Sequence, residues 1–131
     1  MLTGSCLCGA IAYEADAPLS RIVHCHCQTC RKTHGAAFSS VTAVPREAFR
    51  WVRGSDMLGA FESSPGKFRR FCSRCGSHLM AERVAQTVVL LRLGCLDTEV
   101  TARPQVHIWR SDGASWYDPG VVADELPRGL S

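Results

Sequence analysis

The sequence predicts an all-β fold built from two or more small sheets. Three observations predict it. Short extended runs rich in small and β-branched residues recur along the chain, separated by Gly, Pro, Ser and Asp turn signals. Only two segments, residues 28–34 and the turn opened by Pro45, look helical. No linker, charge run or low-complexity stretch divides the 131 residues, so a single domain over residues 1–131 is expected.

The elements follow in order. Residues 10–14 (AIAYE) put Ile11 and Tyr13 on one face, as a strand does. Residues 20–25 (SRIVHC) and 37–44 (AFSSVTAV) read as strands from their β-branched content. Pro45 suits the first position of one helical turn reaching Phe49. Residues 50–53 form a strand closed by Gly54-Ser55-Asp56; residues 58–62 follow, then the turn SSPGK at 63–67. Residues 68–71 lead into a cysteine pair. Residues 78–82 and 87–93 form the strongest strand pair, the second nearly all apolar and central. Residues 104–109 (PQVHIW) are the last strand, and the Gly-, Pro- and Asp-containing tail from Asp112 wraps the surface.

Composition narrows the function classes. Hydrophobic residues make up 46%, which is ordinary for a soluble globule and excludes a disordered chain. A formal charge of +3 is too weak to argue for a nucleic-acid partner. The first cation is Arg21, and no apolar run approaches the roughly 20 residues of a membrane span, so neither a secretory leader nor a membrane partner is expected. The reading is a cytoplasmic protein. In a reducing cytosol, eight cysteines point to metal ligation or thiol chemistry rather than disulfides.

The cysteines fall into groups: Cys6-x-Cys8, Cys25-x-Cys27-x-x-Cys30, Cys72-x-x-Cys75 and a lone Cys95. Zinc takes four thiolate or imidazole ligands at tetrahedral corners. Cys72-Ser73-Arg74-Cys75-Gly76 and Cys6-Leu7-Cys8-Gly9 each supply two sulfurs beside a glycine. If Cys6-x-Cys8 is extended, both side chains share one face. Together the pairs make a closed four-sulfur zinc site of the structural kind, for which an iron–sulfur cluster is the alternative. Cys25, Cys27 and Cys30 remain as three thiolates with an open position. Their alternative is a redox-active or merely reduced thiol cluster.

An extended run from His24 to Cys27 turns His24 and His26 away from that group. His34 and Cys95 are candidates for its fourth ligand, as are water or an exogenous thiolate. Cys95, in the apolar run LRLGCL, otherwise reads as a small buried hydrophobe. Seven bound thiolates and two zinc ions would bring the formal +3 of the chain to zero. The three-sulfur site alone would keep one net negative charge, which Arg31 and Lys32 are placed to offset. Phe38, Trp51 and Trp109 read as core, Trp116 as an anchor for the tail, and His78 and His107 as structural histidines on strands.

The segments GSCLCGAIAY (4–13), HCHCQTCRKTHGAAF (24–38), FCSRCGSHL (71–79), LGCLDT (93–98) and PQVHIWRSDGASWYD (104–118) resemble the glutathione-dependent formaldehyde-activating enzyme family. That family shares its domain with centromere protein V. The resemblance covers nearly the whole chain. It implies a β-tent of small antiparallel sheets around a structural zinc held by Cys6, Cys8, Cys72 and Cys75. It implies a catalytic zinc at Cys25, Cys27 and Cys30. Cys95 departs from the family pattern, which commonly has a small hydroxyl residue before Leu-Asp. The implied reaction is of the carbon–sulfur lyase type and joins glutathione and formaldehyde into S-hydroxymethylglutathione. The zinc could hold the glutathione sulfur as a thiolate, or polarise the aldehyde oxygen. The two carboxylates of glutathione suit guanidinium forks, and the chain carries 13 Arg against 2 Lys. A non-catalytic zinc-stabilised binding module and a thiol- or metal-handling protein are the competing readings. An accessible pocket at Cys25, Cys27 and Cys30 favours the enzyme; a site capped by His34 or Cys95 favours the module.

Overall fold

A computed structural model describes residues 1–100, 105–118, 120, 123 and 125–128. It is mostly β, as the sequence predicts. β1 (Leu2–Ser5), β2 (Ala12–Ala15) and β5 (Phe49–Arg53) form an antiparallel three-stranded sheet with β2 in the middle. The second sheet has seven strands. Its order is β10 (Gln105–Ile108), β3 (Ile22–Cys25), β4 (Ser39–Pro45), β9 (Val88–Arg92), β8 (His78–Arg83), β7 (Lys67–Cys72) and β6 (Leu58–Ser64). Its pairs are antiparallel except β10 with β3, which run parallel. The apolar run of β9 lies at the centre, as expected of a strand buried on both faces.

The one α-helix among the described residues is α1 (Gln28–His34), where the sequence places it. Cys27 caps its start, and Gly35, at φ 57°, ends it in the left-handed conformation that favours glycine. Pro45 stands one residue before the 3₁₀ turn Arg46–Ala48 rather than inside it. β1 carries little strand propensity in LTGS and escapes sequence reading. It is held by pairing with β2 and by the segment after β9: Gly4 bridges Leu96, and the Asp97 N–H donates to Thr3 O at 2.8 Å. Gly4 is required there, because a Cβ would sit 2.3 Å from the Tyr13 ring. Pro104 lies outside the described residues, so the last strand is seen from Gln105 onward.

The core lies between the sheets. Ile11, Tyr13, Ala15, Val44, Leu79, Met80, Val89 and Leu91 are buried there together with Cys6 and Cys72. Ile11 and Tyr13 share this face, as their spacing predicts. Seven of the eight thiols thus enter the structure at two places. Cys6 and Cys8 sit in the β1–β2 connection, with Cys72 and Cys75 at the β7–β8 connection. Cys25, Cys27 and Cys30 sit where β3 hands over to α1. No helix among the described residues is long and apolar enough to cross a membrane.

Candidate metal centres

The first group brings four sulfurs from positions 66 residues apart in sequence to within 4.8 Å of one another: Cys6, Cys8, Cys72 and Cys75. Cys6 Sγ lies 3.6 Å from Cys8 Sγ, and Cys8 Sγ lies 3.8 Å from Cys72 Sγ. A zinc ion with tetrahedral bonds of about 2.3 Å spaces its sulfurs by about 3.8 Å, so the donor set fits that ion. A disulfide would bring two sulfurs to about 2.05 Å, and every cysteine here is free. Cys6-Leu7-Cys8 is a turn rather than the extended pair its spacing suggests. The Gly9 N–H closes back on Cys6 O at 3.0 Å, and Gly9 takes φ 81°. Gly76 does the same after Cys75, at φ 79° with its N–H on Cys72 O at 2.8 Å. The two pairs are therefore matched turns, each with a left-handed glycine.

Backbone donors are aimed at these sulfurs. The Ile11 N–H reaches Cys6 Sγ at 3.3 Å, and the N–H groups of Arg74 and Cys75 reach Cys72 Sγ at 3.4 Å. Such bonds favour the thiolate. Bonds from the Ser77 hydroxyl and backbone hold the Cys75 thiol down to about 5. The Leu7 N–H donates to Ser77 Oγ at 3.0 Å and adds a second tie between the two turns.

The second group holds three sulfurs, Cys25, Cys27 and Cys30, again within 4.8 Å of one another. Cys25 and Cys30 are buried. Cys27, extended at φ −63° and ψ 155°, accepts the Cys30 N–H on its sulfur at 3.4 Å. Burial works against a Cys30 thiolate, but Ser39, the Cys25 and Cys27 thiols and the Arg69 guanidinium bring it down to about 7. Burial pushes Cys25 up to about 12. His24 and His26 turn away from the sulfurs, as an extended chain requires. His24 bonds Ser40 and Gln105, and His26 Nε2 lies 2.7 Å from His107 Nδ1.

Neither candidate for a fourth protein ligand joins this group. His34 faces a neighbouring cavity of about 520 Å³ with His78 and Cys95. Burial and the Arg92 charge hold His34 down to about 4. Cys95 donates to His78 O at 3.2 Å and packs against the core.

The three sulfurs open instead on a cavity of about 460 Å³ whose wall includes Lys67, Arg69, Arg83, Arg92, Trp109 and Asp112. Arg31 and Lys32 do not line it; the Arg31 side chain turns to His26 O at 3.3 Å. The cations facing the thiols come from β7 and β9, which only the folded chain brings near. Arg92 had a sequence signal, since it interrupts the longest apolar strand. Arg69 had none beyond its place beside Arg70, which bonds Glu82 while Arg69 faces the other way. Trp109 is 60% exposed at the cavity wall, not core, because β10 is an edge strand. Trp116 is 71% exposed, so the buried Ala114 and the half-buried Tyr117, which packs against Phe38, fix the tail instead.

A family model described as glutathione-dependent formaldehyde-activating enzyme matches residues 1–112. The chain belongs to that family. A Halomonas elongata protein named provisionally for the family activity is 33% identical over 127 residues, covering 90% of this chain and 80% of that protein. A Phaeosphaeria nodorum protein of the same name is 28% identical over 124 residues, and the chain spans 60% of its length. A Schizosaccharomyces pombe protein described as an uncharacterized lyase is 32% identical over 76 residues, 58% of this chain and 53% of that one. A Rhodobacter sphaeroides protein of known crystal structure superposes at a TM-score of 0.62 and 20% identity, covering 79% of this chain and 99% of that one, which supports the fold alone. The family's description names a glutathione-dependent enzyme, and this chain carries two cysteine groups suited to metal ions.

Proposed function

We propose that this single-domain chain, residues 1–131, is a zinc-dependent enzyme of the carbon–sulfur lyase type. It joins a small thiol such as glutathione to formaldehyde or a related aldehyde in the cytoplasm. Cys6, Cys8, Cys72 and Cys75 hold a structural zinc; Cys25, Cys27 and Cys30 hold a second. The observation that carries the reading is the three-sulfur group, which has no fourth protein ligand among the described residues and opens on a cationic cavity. A site capped by His34 or Cys95 would have suited a binding module; both side chains lie elsewhere.

When bound, a zinc ion with three thiolates supplies a charge that keeps an incoming thiol deprotonated or polarises an aldehyde oxygen. The protein's own residues do the rest. Cys25 and Cys30, buried at the cavity floor, hold the reacting end away from bulk water. Lys67 and Arg83 line the cavity and attract the carboxylates of a peptide thiol. The thiolate sulfur attacks the carbonyl carbon, the carbon–oxygen π pair moves to oxygen, and a solvent proton completes the hydroxymethyl thioether.

Thiols add to formaldehyde unaided, so the test measures exchange rather than product. Magnetisation-transfer NMR follows interconversion of glutathione and its hydroxymethyl adduct with and without zinc-loaded protein. Accelerated exchange that is lost in Cys30→Ser supports the enzyme. No acceleration by the zinc-loaded wild type leaves the non-catalytic module as the reading.

A further inference from the structure

Two arginines in the wall of the cysteine cavity are buried with donor nitrogens left unbonded among the described residues. Arg69 is 3% exposed and Arg92 is 5% exposed. Arg69 donates one bond, from Nε to Ser63 Oγ at 2.9 Å, and its Nη1 finds no acceptor. Arg92 leaves both Nε and Nη2 unbonded. None of these three nitrogens meets an acceptor, sulfur included, among the described residues. Among the described residues no carboxylate pairs with either guanidinium; the ion pairs seen involve Arg46, Arg50 and Arg70. Buried guanidinium donors with nothing to bond are strongly unfavourable, and two like charges near one another make them more so.

The pattern of free donors specifies the missing group. Nε and Nη2 lie on one edge of a guanidinium, so Arg92 presents an intact side-on fork. That edge matches the two oxygens of a carboxylate in a bidentate pair. A carboxylate keeps further lone pairs, one of which the Arg69 Nη1 donor can take. Charge points the same way. Three thiolates with one divalent ion carry a single negative charge, against three positive charges on Lys67, Arg69 and Arg92, while Arg83 and Asp112 offset each other in the same wall. A thiolate and one carboxylate on the ligand would balance the remainder.

We propose that Arg69 and Arg92 form a carboxylate-binding subsite beside Cys25, Cys27 and Cys30, so that the cavity selects a small thiol carrying a carboxylate on the same molecule. The thiol half of this statement rests on the function proposed above; the carboxylate half stands on the arginines alone. Arg92 also lines the neighbouring cavity with His34 and His78, so the subsite sits where the two cavities meet.

Titration calorimetry on the zinc-loaded full chain tests it with five probes: 3-mercaptopropionate, 3-mercaptopropanamide, propionate, propionamide and inorganic phosphate. The acid thiol should bind at least about tenfold tighter than its amide, the scale of one charge-assisted bidentate pair. Arg92→Lys keeps the charge but removes the fork, and should abolish most of that preference while zinc content stays at the wild-type level. Arg69→Lys should weaken it less. If a lysine variant does not fold, the wild type still decides: propionate should raise its melting temperature and propionamide should not. Equal affinity for acid and amide in the wild type overturns the subsite, as does a preference that survives both substitutions. Inorganic phosphate binding more tightly than either acid would assign the arginines to a free oxyanion and overturn the carboxylate assignment. Propionate binding that needs Arg92, with no gain from sulfur, would uphold the subsite while removing the thiol reading.

Discussion

The two cysteine groups use the same ligand chemistry in opposite surroundings. The four-sulfur group joins two connections from different sheets, Cys6/Cys8 and Cys72/Cys75, and each pair turns on a glycine at positive φ. Its sulfurs receive backbone N–H bonds and lie close to one another. The three-sulfur group joins neighbours in sequence at a strand–helix junction and opens on a cavity with cations in its wall. The first arrangement shortens the distance between remote segments, which is what a folding staple must do. The second leaves the fold nearly unconstrained and presents sulfur to a space. Ligand count and loop span, rather than ligand type, separate structure from chemistry here.

Removing one sulfur from each group is the strongest way to break this contrast. Cys72→Ser should unfold the chain or nearly so, because structural zinc binding is itself folding free energy, on the order of 10 kcal/mol in small zinc domains. Cys72 is also fully buried in the core, so the vacancy has no solvent to fill it. Cys30→Ser should stay folded and carry one zinc where the wild type carries two. Thermal melts with elemental analysis on the purified proteins check both. Collapse of the two variants alike would dissolve the distinction.

The next effect is confined to the open group. Glutathione should bind about 100-fold tighter than S-methylglutathione, or about 2.7 kcal/mol, since a thioether is a poor zinc ligand and brings no charge. Cys30→Ser should erase the difference while leaving whatever the carboxylates contribute. Calorimetry on both proteins reads it, and similar affinities in the wild type would mean that the sulfur is not what the cavity recognises.

A smaller effect concerns the wall between the two regions. Burial and Arg92 hold His34 down to about 4, below the ordinary 6.5. The unfolded chain therefore binds this proton more tightly than the folded one. Stability from this source is full above pH 6.5 and falls as pH drops toward 4, by roughly 1–3 kcal/mol. Acid also weakens thiolate–metal bonds, so the measurement is a difference. Urea melts of wild type and His34→Gln across pH 4 to 7 should diverge, with the variant losing less stability on the acid side. Parallel curves would show that His34 is not neutral by virtue of the fold.

Most of the frame was legible because it is local. Alternation, β-branched content and turn signals point to nine of the ten strands among the described residues, α1 follows from residues 28–34, and the cysteine spacing anticipates both sulfur groups. What escaped depends on long-range placement. β1 has no propensity of its own and is defined by its partners. The turn at Cys6-x-Cys8 escapes the alternation rule, because Gly9 at positive φ sets its geometry. Adjacency in sequence points to Arg31 and Lys32 as the cations of the cavity, but Arg31 turns to His26 O and Lys32 is exposed on the helix. Arg69 and Arg92 reach the thiols only after β7, β8, β9, β4 and β3 have assembled side by side.

The least of the expected effects sharpens the comparison at the backbone. Around the four-sulfur group every left-handed residue is a glycine. At the cavity wall the chain puts Trp109 there instead, at φ 57° and ψ 36°, the only non-glycine residue with positive φ among those described. A side chain with a Cβ in this region costs about 1–2 kcal/mol, and asparagine tolerates it better than a bulky aromatic. Trp109 is 60% exposed, so it loses little burial when replaced. Trp109→Asn should therefore leave the protein as stable or raise its stability by up to about 1 kcal/mol. Because the indole forms part of the cavity wall, the same substitution should weaken binding of glutathione. Urea melts and calorimetry on the one variant read both. A clear loss of stability would mean that the indole supports the fold, and that the strain at residue 109 is not held for the sake of the cavity.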